Sequence, residues 1–211
     1  MTVSNQKKID YKVIATGSKG NAVRIGHIMI DCGIAFSKMK DDLYKCDTLL
    51  ITHTHSDHIK KSTLLKIMDE FPRIKIYGNY DVAYQYPTVK VIGTKSFKLR
   101  DGTLITPFEG THDVPVTYFV IQKDDLNIIY ATDTCEVENY LGIKFDYVFL
   151  ESNYDEHKLM TLGYKYKSKN YDPTDSSLRH LSTARCKGFY YMNRRNKDSV
   201  LIELHMSERF Y

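Results

Sequence analysis

Short apolar runs rich in β-branched and aromatic residues recur along the whole chain and constrain its fold more than any other feature. YKVIAT, NAVRIG, IMIDCG, DTLLIT, IKIYG, VKVIG, TLITPFEG, VTYFVIQ, NIIYAT, YVFLES and SVLIELH have the length and the Gly, Asp, Asn or Pro boundaries of strands. Helical periodicity is scarcer. It is clearest from near Asp57 to the residue before Pro72, with Leu64, Leu65, Met68 and Phe71 on one face. Further helices are expected after Asp133, Asn153 and Ser182. Strands in both halves with helices between them predict two packed sheets covered by helices. The 211 residues are 42% hydrophobic and 27% charged, which suits one domain with its own core. No repeat, low-complexity segment or linker divides them, so 1–211 is expected to form a single domain. The stretch KYKSKNYDPTDSS, Lys165 to Ser177, is the most loop-like.

The ends of these runs carry the chemistry. DTLLIT leads into HTHSDH. His53 and His55 are two residues apart, so in extended backbone they point the same way, and Asp57 and His58 follow at a turn. Neutral imidazoles and a carboxylate are the donors that zinc, manganese or iron prefer. The pattern repeats: His112 follows LITPFEGT, Asp133 follows NIIYAT, and His205 follows SVLIEL. Each alone reads as an ordinary structural residue. Four strand ends, each with a metal-type side chain, favour a shared metal site.

Composition narrows the setting. MTVSNQKKIDYKVIATG has no apolar signal region, and no run approaches the ~20 apolar residues of a membrane helix, so a cytoplasmic, membrane-free location is expected. Cys32, Cys46, Cys135 and Cys186 are scattered without a CxxC pair, which fits a reducing compartment and no disulfide framework. Net charge is +4, but the window from Lys158 to Lys197 holds ten Lys or Arg against two Asp, +8 locally, leaving −4 for the rest. That asymmetry points to an anionic partner, with a solvated surface loop as the plain alternative.

HTHSDH resembles the HxHxDH signature of the metallo-β-lactamase superfamily, and His112, Asp133 in ATDT and His205 in LHMS follow in that family's order. The resemblance runs from IDCG to His205. It implies an α/β fold, the four-layer αββα sandwich, with two divalent metal ions at its edge, zinc first and manganese as the alternative. One ion would take His53, His55 and His112, the other Asp57, His58 and His205, with Asp133 bridging. Asp31 resembles the family's buried aspartate that orients the ligand loop, and Glu151 is expected beside it behind the ligands.

Within the superfamily, TGSKGNAVRIG, GTHDVPVTYFV and ESN resemble the YycJ (WalJ) branch, to which the anti-Pycsar phage phosphodiesterases and ribonuclease Z are related. RHLSTARC resembles the loop whose histidine touches the scissile phosphate or protonates the leaving oxygen, which here is His180; a surface loop histidine is the ordinary alternative. Arg179, Ser182 and Thr183 are expected on the substrate, since Ser182 or Thr183 would cap a helix whose N-terminus suits an anion. Two positions depart from the pattern: Cys135 replaces the usual Gly, and Tyr154 stands where the YycJ branch has His. Cys135 lies two residues from Asp133 and thiolate suits zinc, but a small buried residue is the simpler reading. His27 reads as a hairpin residue and His157 as an exposed helical one. Tyr164, Tyr166 and Tyr171 suit base stacking, though an ordinary packing role fits each equally.

The resemblance implies a dinuclear phosphodiesterase in which Asp57 deprotonates the nucleophile and His180 donates to the leaving oxygen. The single basic window and the lack of room for a protruding RNA-binding arm favour a nucleotide phosphodiester of small size, a 3′,5′-cyclic nucleotide as in anti-Pycsar counter-defence, acting in the host cytoplasm if phage-encoded. A DNA or RNA nuclease of the YycJ or ribonuclease Z kind is the alternative. A non-catalytic scaffold is a third class, disfavoured because every ligand position is filled, and RHLST argues against β-lactam or thioester hydrolysis. A homodimer is implied by the resemblance.

Overall fold

The computed structural model describes residues 8–168 and 172–211. The first half runs β1 (Tyr11–Ala15), β2 (Ala22–Ile25), β3 (Ile28–Ile30), α1 (Phe36–Leu43), β4 (Thr48–Ile51), α2 (Lys61–Glu70), β5 (Lys75–Gly78), α3 (Tyr80–Gln85) and β6 (Lys90–Val91). The second runs β7 (Phe97–Lys98), β8 (Leu104–Gly110), β9 (Val116–Lys123), β10 (Leu126–Ala131), β11 (Tyr147–Glu151), α4 (Glu156–Tyr166), α5 (Pro173–Ser177), α6 (Thr183–Asn193) and β12 (Val200–Leu204). Each half builds one sheet, ordered β1-β2-β3-β4-β5-β6 and β12-β11-β10-β9-β8-β7. Strands joined by short turns pair antiparallel, and β3-β4-β5-β6 and β10-β11-β12, joined by longer crossovers, pair parallel.

Period-two alternation sorts the core into three layers. Met29, Leu49 and Ile51 face Met39, Leu43, Leu64 and Ile67 of α1 and α2. Ile28, Ile30 and Leu50 turn the other way and meet Phe119, Ile128, Tyr130 and Phe149 between the sheets. Ile129, Val148 and Leu150 face Cys186, Phe189 and Tyr190 of α6. Helix, sheet, sheet and helix thus stack as the αββα sandwich that the resemblance implies. Leu50 is fully buried between the sheets, where truncation to Ala costs about 2–5 kcal/mol.

Three expectations on elements need correction. The helix expected near Asp57 starts at Lys61, because Cys32 N–H donates to His58 O and Lys60 N–H donates to Cys32 O, so those backbone groups serve a bridge rather than a helix. Its buried face is Thr63, Leu64 and Ile67, and Leu65 is exposed. No helix follows Asp133: Thr134 Oγ1 accepts from Thr111 N and donates to Glu136 O, and Cys135 N–H donates to Thr111 O. The expected helices after Asn153 and Ser182 form, capped by the side chains of Asp155 and Ser182. Lys165–Ser177 is in part the end of α4 and in part α5. Among the described residues no helix is long and apolar enough to cross a membrane.

Candidate metal centre

The polar residues gather at one end of the sandwich, where strands of both sheets stop. Asp31 follows β3, His53 follows β4, His112 follows β8, Asp133 follows β10 and His205 follows β12. Three of these strand ends are left-handed in backbone despite not being glycine: Asp31 (φ 61°), Asp133 (φ 52°) and His205 (φ 52°). Such conformations are costly for non-glycine residues and collect at functional sites. The ligand loop is held from below by close backbone approach. A Cβ on Gly33 would lie 1.6 Å from the Asp57 carbonyl oxygen, so only glycine fits there. Asn21 N–H donates to that same carbonyl at 2.7 Å, and Asn21 Nδ2 lies 2.8 Å from His58 Nε2.

Four groups of donor atoms result. His53, His55 and His112 form one group; Asp57, His58 and His205 form another; His53, His58 and Asp133 form a third, and Asp133, Glu151, His180 and His205 a fourth. Asp133 shares the third group with His53 of the first and His58 of the second; its Oδ2 is 2.8 Å from His58 Nε2 and its Oδ1 is 3.3 Å from His205 Nε2. Behind them, Asp31 is fully buried; its carboxylate accepts from Thr52 N at 2.8 Å and lies 2.7 Å from His58 Nδ1. Glu151, also fully buried, reaches His180 Nδ1 at 2.7 Å and His205 Nδ1 at 3.3 Å, and its other oxygen accepts from Thr134 N. Asp31 holds the His58 ring and Glu151 the His205 ring through Nδ1, opposite the Nε2 that faces Asp133, as supporting partners of metal-binding histidines do.

Electrostatics match this packing. Burial opposes charge on His58, but Asp31 and Asp133 outweigh it and hold the imidazole well above its ordinary pKa. Burial likewise opposes charge on His205, yet Asp133 and Glu151 raise it to about 9. His53 goes the other way, lowered to about 2 by burial with the charge of His58 adding. Burial would raise Asp133, but His58 and His205 pull it well below the carboxylate range.

The donor set fits divalent transition metals. Buried His112 Nδ1 and His205 Nε2 have no hydrogen-bond partner, and His53 Nε2 faces His55 Nδ1 at 3.1 Å. Buried imidazole nitrogens without a hydrogen-bond partner are what a bound cation would satisfy.

The other sequence candidates divide. Arg179 and His180 line the cavity of about 190 Å³ at the cluster, together with His55, Asp57 and Asp133. Ser182 and Thr183 do not line it: Ser182 is buried, caps α6 and donates to Glu156 Oε1 at 2.6 Å, and Thr183 Oγ1 accepts from Ser152. Cys135 joins none of the donor groups; its carbonyl accepts from Arg185. His27 occupies the β2–β3 turn beside Asp47, and His157 is exposed on α4. Tyr164 and Tyr166 are exposed on α4, and Tyr171 lies outside the described residues. Among the described residues the basic window is dispersed. Arg179 sits at the cluster, while Arg194 and Arg195 bind Phe145, just before β11, at the opposite end of the strand from Glu151.

Sequence reasoning missed Asn21, Asn153 and Asp113. Asn153 holds the His205 carbonyl at 2.8 Å and its ring at 3.0 Å. Asp113 lies 3.0 Å from His112 Nε2 and 3.2 Å from Arg179 Nη1, and so spans the mouth of the cavity. Its adjacency to His112 was the available signal.

An αββα sandwich with a His/Asp cluster at the ends of its strands defines a metal-dependent hydrolase of the metallo-β-lactamase fold. The chain belongs to the beta-lactamase superfamily, whose domain family (Beta-lactamase superfamily domain) matches residues 27–186. It is 28% identical over 199 residues to Exodeoxyribonuclease WalJ of Streptococcus pneumoniae, covering 82% of this chain and 72% of that protein. In fold it is similar to the short form of human tRNase Z (TM-score 0.69, 17% identity, 94% of this chain and 93% of that one). It is also similar to a diphosphatase from the PhnP family (TM-score 0.65, 15% identity, 96% and 88%).

Proposed function

We propose that the protein is a dinuclear metal-dependent phosphodiesterase that cuts nucleic-acid strands, DNA first. The observation that carries this reading is the convergence on one small cavity of metal-type side chains, a lone cation at Arg179, and His180 braced by Glu151. His53, His55 and His112 would hold one ion, Asp57, His58 and His205 the other, and Asp133 both. Zinc suits so imidazole-rich a set, and manganese is the alternative. Bound there, the ions supply Lewis acidity to the phosphoryl oxygens and lower the pKa of water.

The chain's own groups do the rest. Asp57 faces the cavity and takes the proton of the attacking water. Glu151 fixes the His180 ring through Nδ1, which leaves Nε2 to protonate the departing oxygen. Arg179 can leave Asp113 for a phosphate oxygen, a stronger bidentate partner. The likeness to WalJ supports a DNA strand over the cyclic nucleotide favoured from the sequence. The second reading, a 3′,5′-cyclic nucleotide, is supported by the small cavity and by Arg179 being the one Lys or Arg among its lining residues. Cytoplasmic action is carried over from the composition, and a homodimer from the resemblance.

End-labelled single-stranded DNA, duplex DNA, RNA and 3′,5′-cyclic nucleotides, each with zinc or manganese, test the proposal. Shortening of labelled DNA with inert cyclic nucleotides supports the first reading. Ring opening of cyclic nucleotides with intact DNA supports the second, and no cleavage of any of them rejects both.

A further inference from the structure

The metal cluster is flanked by two cavities of opposite character. On the His205 side lies a cavity of about 310 Å³ lined by Lys19, Arg209, Ser18 and Ser207 as well as His180; Lys19 pairs with Glu208 at its rim, and two cations against one carboxylate, with the hydroxyls, suit phosphate oxygens. On the His112 side lies a larger groove of about 780 Å³ between α3, β6 and the β8–β9 hairpin. It meets the cluster at His112 and Asp113. Its lining is largely apolar, includes Tyr80, Pro115 and Val91, and carries Asp81 and Glu109 but no Lys or Arg.

The geometry points to this groove as a nucleobase site. This assignment rests on the phosphodiesterase reading and extends it beyond the cluster. Carboxylates with no Lys or Arg in the same lining repel phosphate, so the part of a nucleotide that fits there is its uncharged base. The groove has the size of small-molecule sites, which are mostly apolar with a few placed polar groups. The Tyr80 ring, 70% exposed at the rim, offers a face for stacking. Carboxylates accept hydrogen bonds and do not donate them, so Asp81 and Glu109 favour bases with an exocyclic amino group. Cytosine and adenine have one; thymine does not. A strand would therefore lie across the metals with a base in the acidic apolar groove and its flanking phosphates by Lys19 and Arg209.

The test compares kcat/KM for the 4-nitrophenyl esters of deoxycytidine and thymidine 5′-monophosphate with that for methyl 4-nitrophenyl phosphate, a diester without a base. The expected preference for cytidine over thymidine is about tenfold, the scale of one well-placed base contact. Asp81→Asn should erase that preference. Gly93→Trp should lower the ratio of either nucleoside ester to the base-less ester by about tenfold, since a side chain at Gly93 meets open space and fills the groove. Equal rates for both bases, with ratios that neither variant moves, overturn the base site while leaving the phosphodiesterase reading intact. Failure to hydrolyse even the base-less ester overturns the phosphodiesterase reading instead.

Discussion

His180 Nδ1 lies 2.7 Å from Glu151 Oε1, and the His180 ring stacks on His205 at 5.2 Å. The carboxylate that orients the proposed acid is thus also one that braces a proposed metal ligand. This shared support separates two roles for His180. As a proton donor, it matters only when the leaving oxygen is basic. His180→Ala should then slow hydrolysis of a dinucleotide by about 10²–10⁴-fold and of a 4-nitrophenyl ester by less than about tenfold, with metal content unchanged. Equal losses on both substrates, or loss of one ion per chain, would make His180 a ligand instead. Glu151→Gln should mimic His180→Ala and also weaken metal binding about 10–100-fold, because His205 loses its partner.

Asp31 joins backbone strain to ligand support. Its φ of 61° is tolerated better by Asn than by Ala, and its carboxylate holds both Thr52 N and His58 Nδ1. Asp31→Asn should fold and bind metal weakly. Asp31→Ala should bind metal as weakly and also melt lower than Asp31→Asn, by about the 1–3 kcal/mol of a strained position. Equal melting temperatures for the two variants would show that strain is not stored there.

The bridging role proposed for Asp133 follows from its grouping with both His53 and His58. Asp133→Ala should therefore lower metal stoichiometry from about two per chain to below one, by elemental analysis of dialysed protein. His112→Ala should remove one ion and spare the other. A full complement in the Asp133 variant would sink the bridging role.

Much of the site was legible because metal ligands must follow strand ends, and strand ends are marked by a change from apolar to polar residues. His53, His55, Asp57, His58, His112, Asp133 and His205 were placed this way, and the groups they form are close in space. What escaped notice has no such mark. Asn21 N–H donates to the Asp57 carbonyl from thirty-six residues away, and Gly33 approaches the same carbonyl so closely that a Cβ there would strike it; neither contact leaves a pattern in the sequence. The helix expected after Asp133 fails for a similar reason, since its backbone groups are committed to Thr111 across the sheet end. β7 is two residues without an apolar run. Charge summed along the chain could not show where each cation of the basic window falls: Arg179 lies at the cluster, whereas Arg194 and Arg195 follow α6 and lie beside Phe145.

Protonation ties stability to pH in the metal-free protein. His205 is raised to about 9, against burial, by Asp133 and Glu151. Its contribution is complete below the unfolded value of about 6.5 and is lost as pH rises through 9. His53 is lowered to about 2 by burial and by His58, so its contribution is present above about 6.5 and lost as pH falls. The metal-free chain should melt highest near neutrality and lower at both pH 5 and pH 10. Ions must displace the protons on His58 and His205, so metal binding should strengthen with pH and release protons. Calorimetric titration in buffers of different ionisation enthalpy counts them, and no proton release would contradict the assigned pair.

Salt dependence separates the two substrate readings and locates the strand. A nucleic acid touching several phosphates should lose affinity steeply between ~50 and ~200 mM salt, whereas a cyclic mononucleotide carries one charge and should barely respond. The fold says which cations matter. Lys19, paired with Glu208, and Arg209 line the cavity beside His205, so Lys19→Ala with Arg209→Ala should weaken DNA binding and flatten the salt slope by about one to two. Arg194 lies over the Tyr190 and Tyr191 rings at the end of α6, next to Phe145 and away from the cluster, so Arg194→Glu should change neither. Arg195 is a poor choice for the same test, because it pairs with buried Asp146 at 3.2 Å and its loss would strand that carboxylate. A slope that responds to Arg194 and not to Lys19 and Arg209 would move the strand to the far edge of the sandwich, and a flat slope in the unaltered protein would return the cyclic nucleotide to first place.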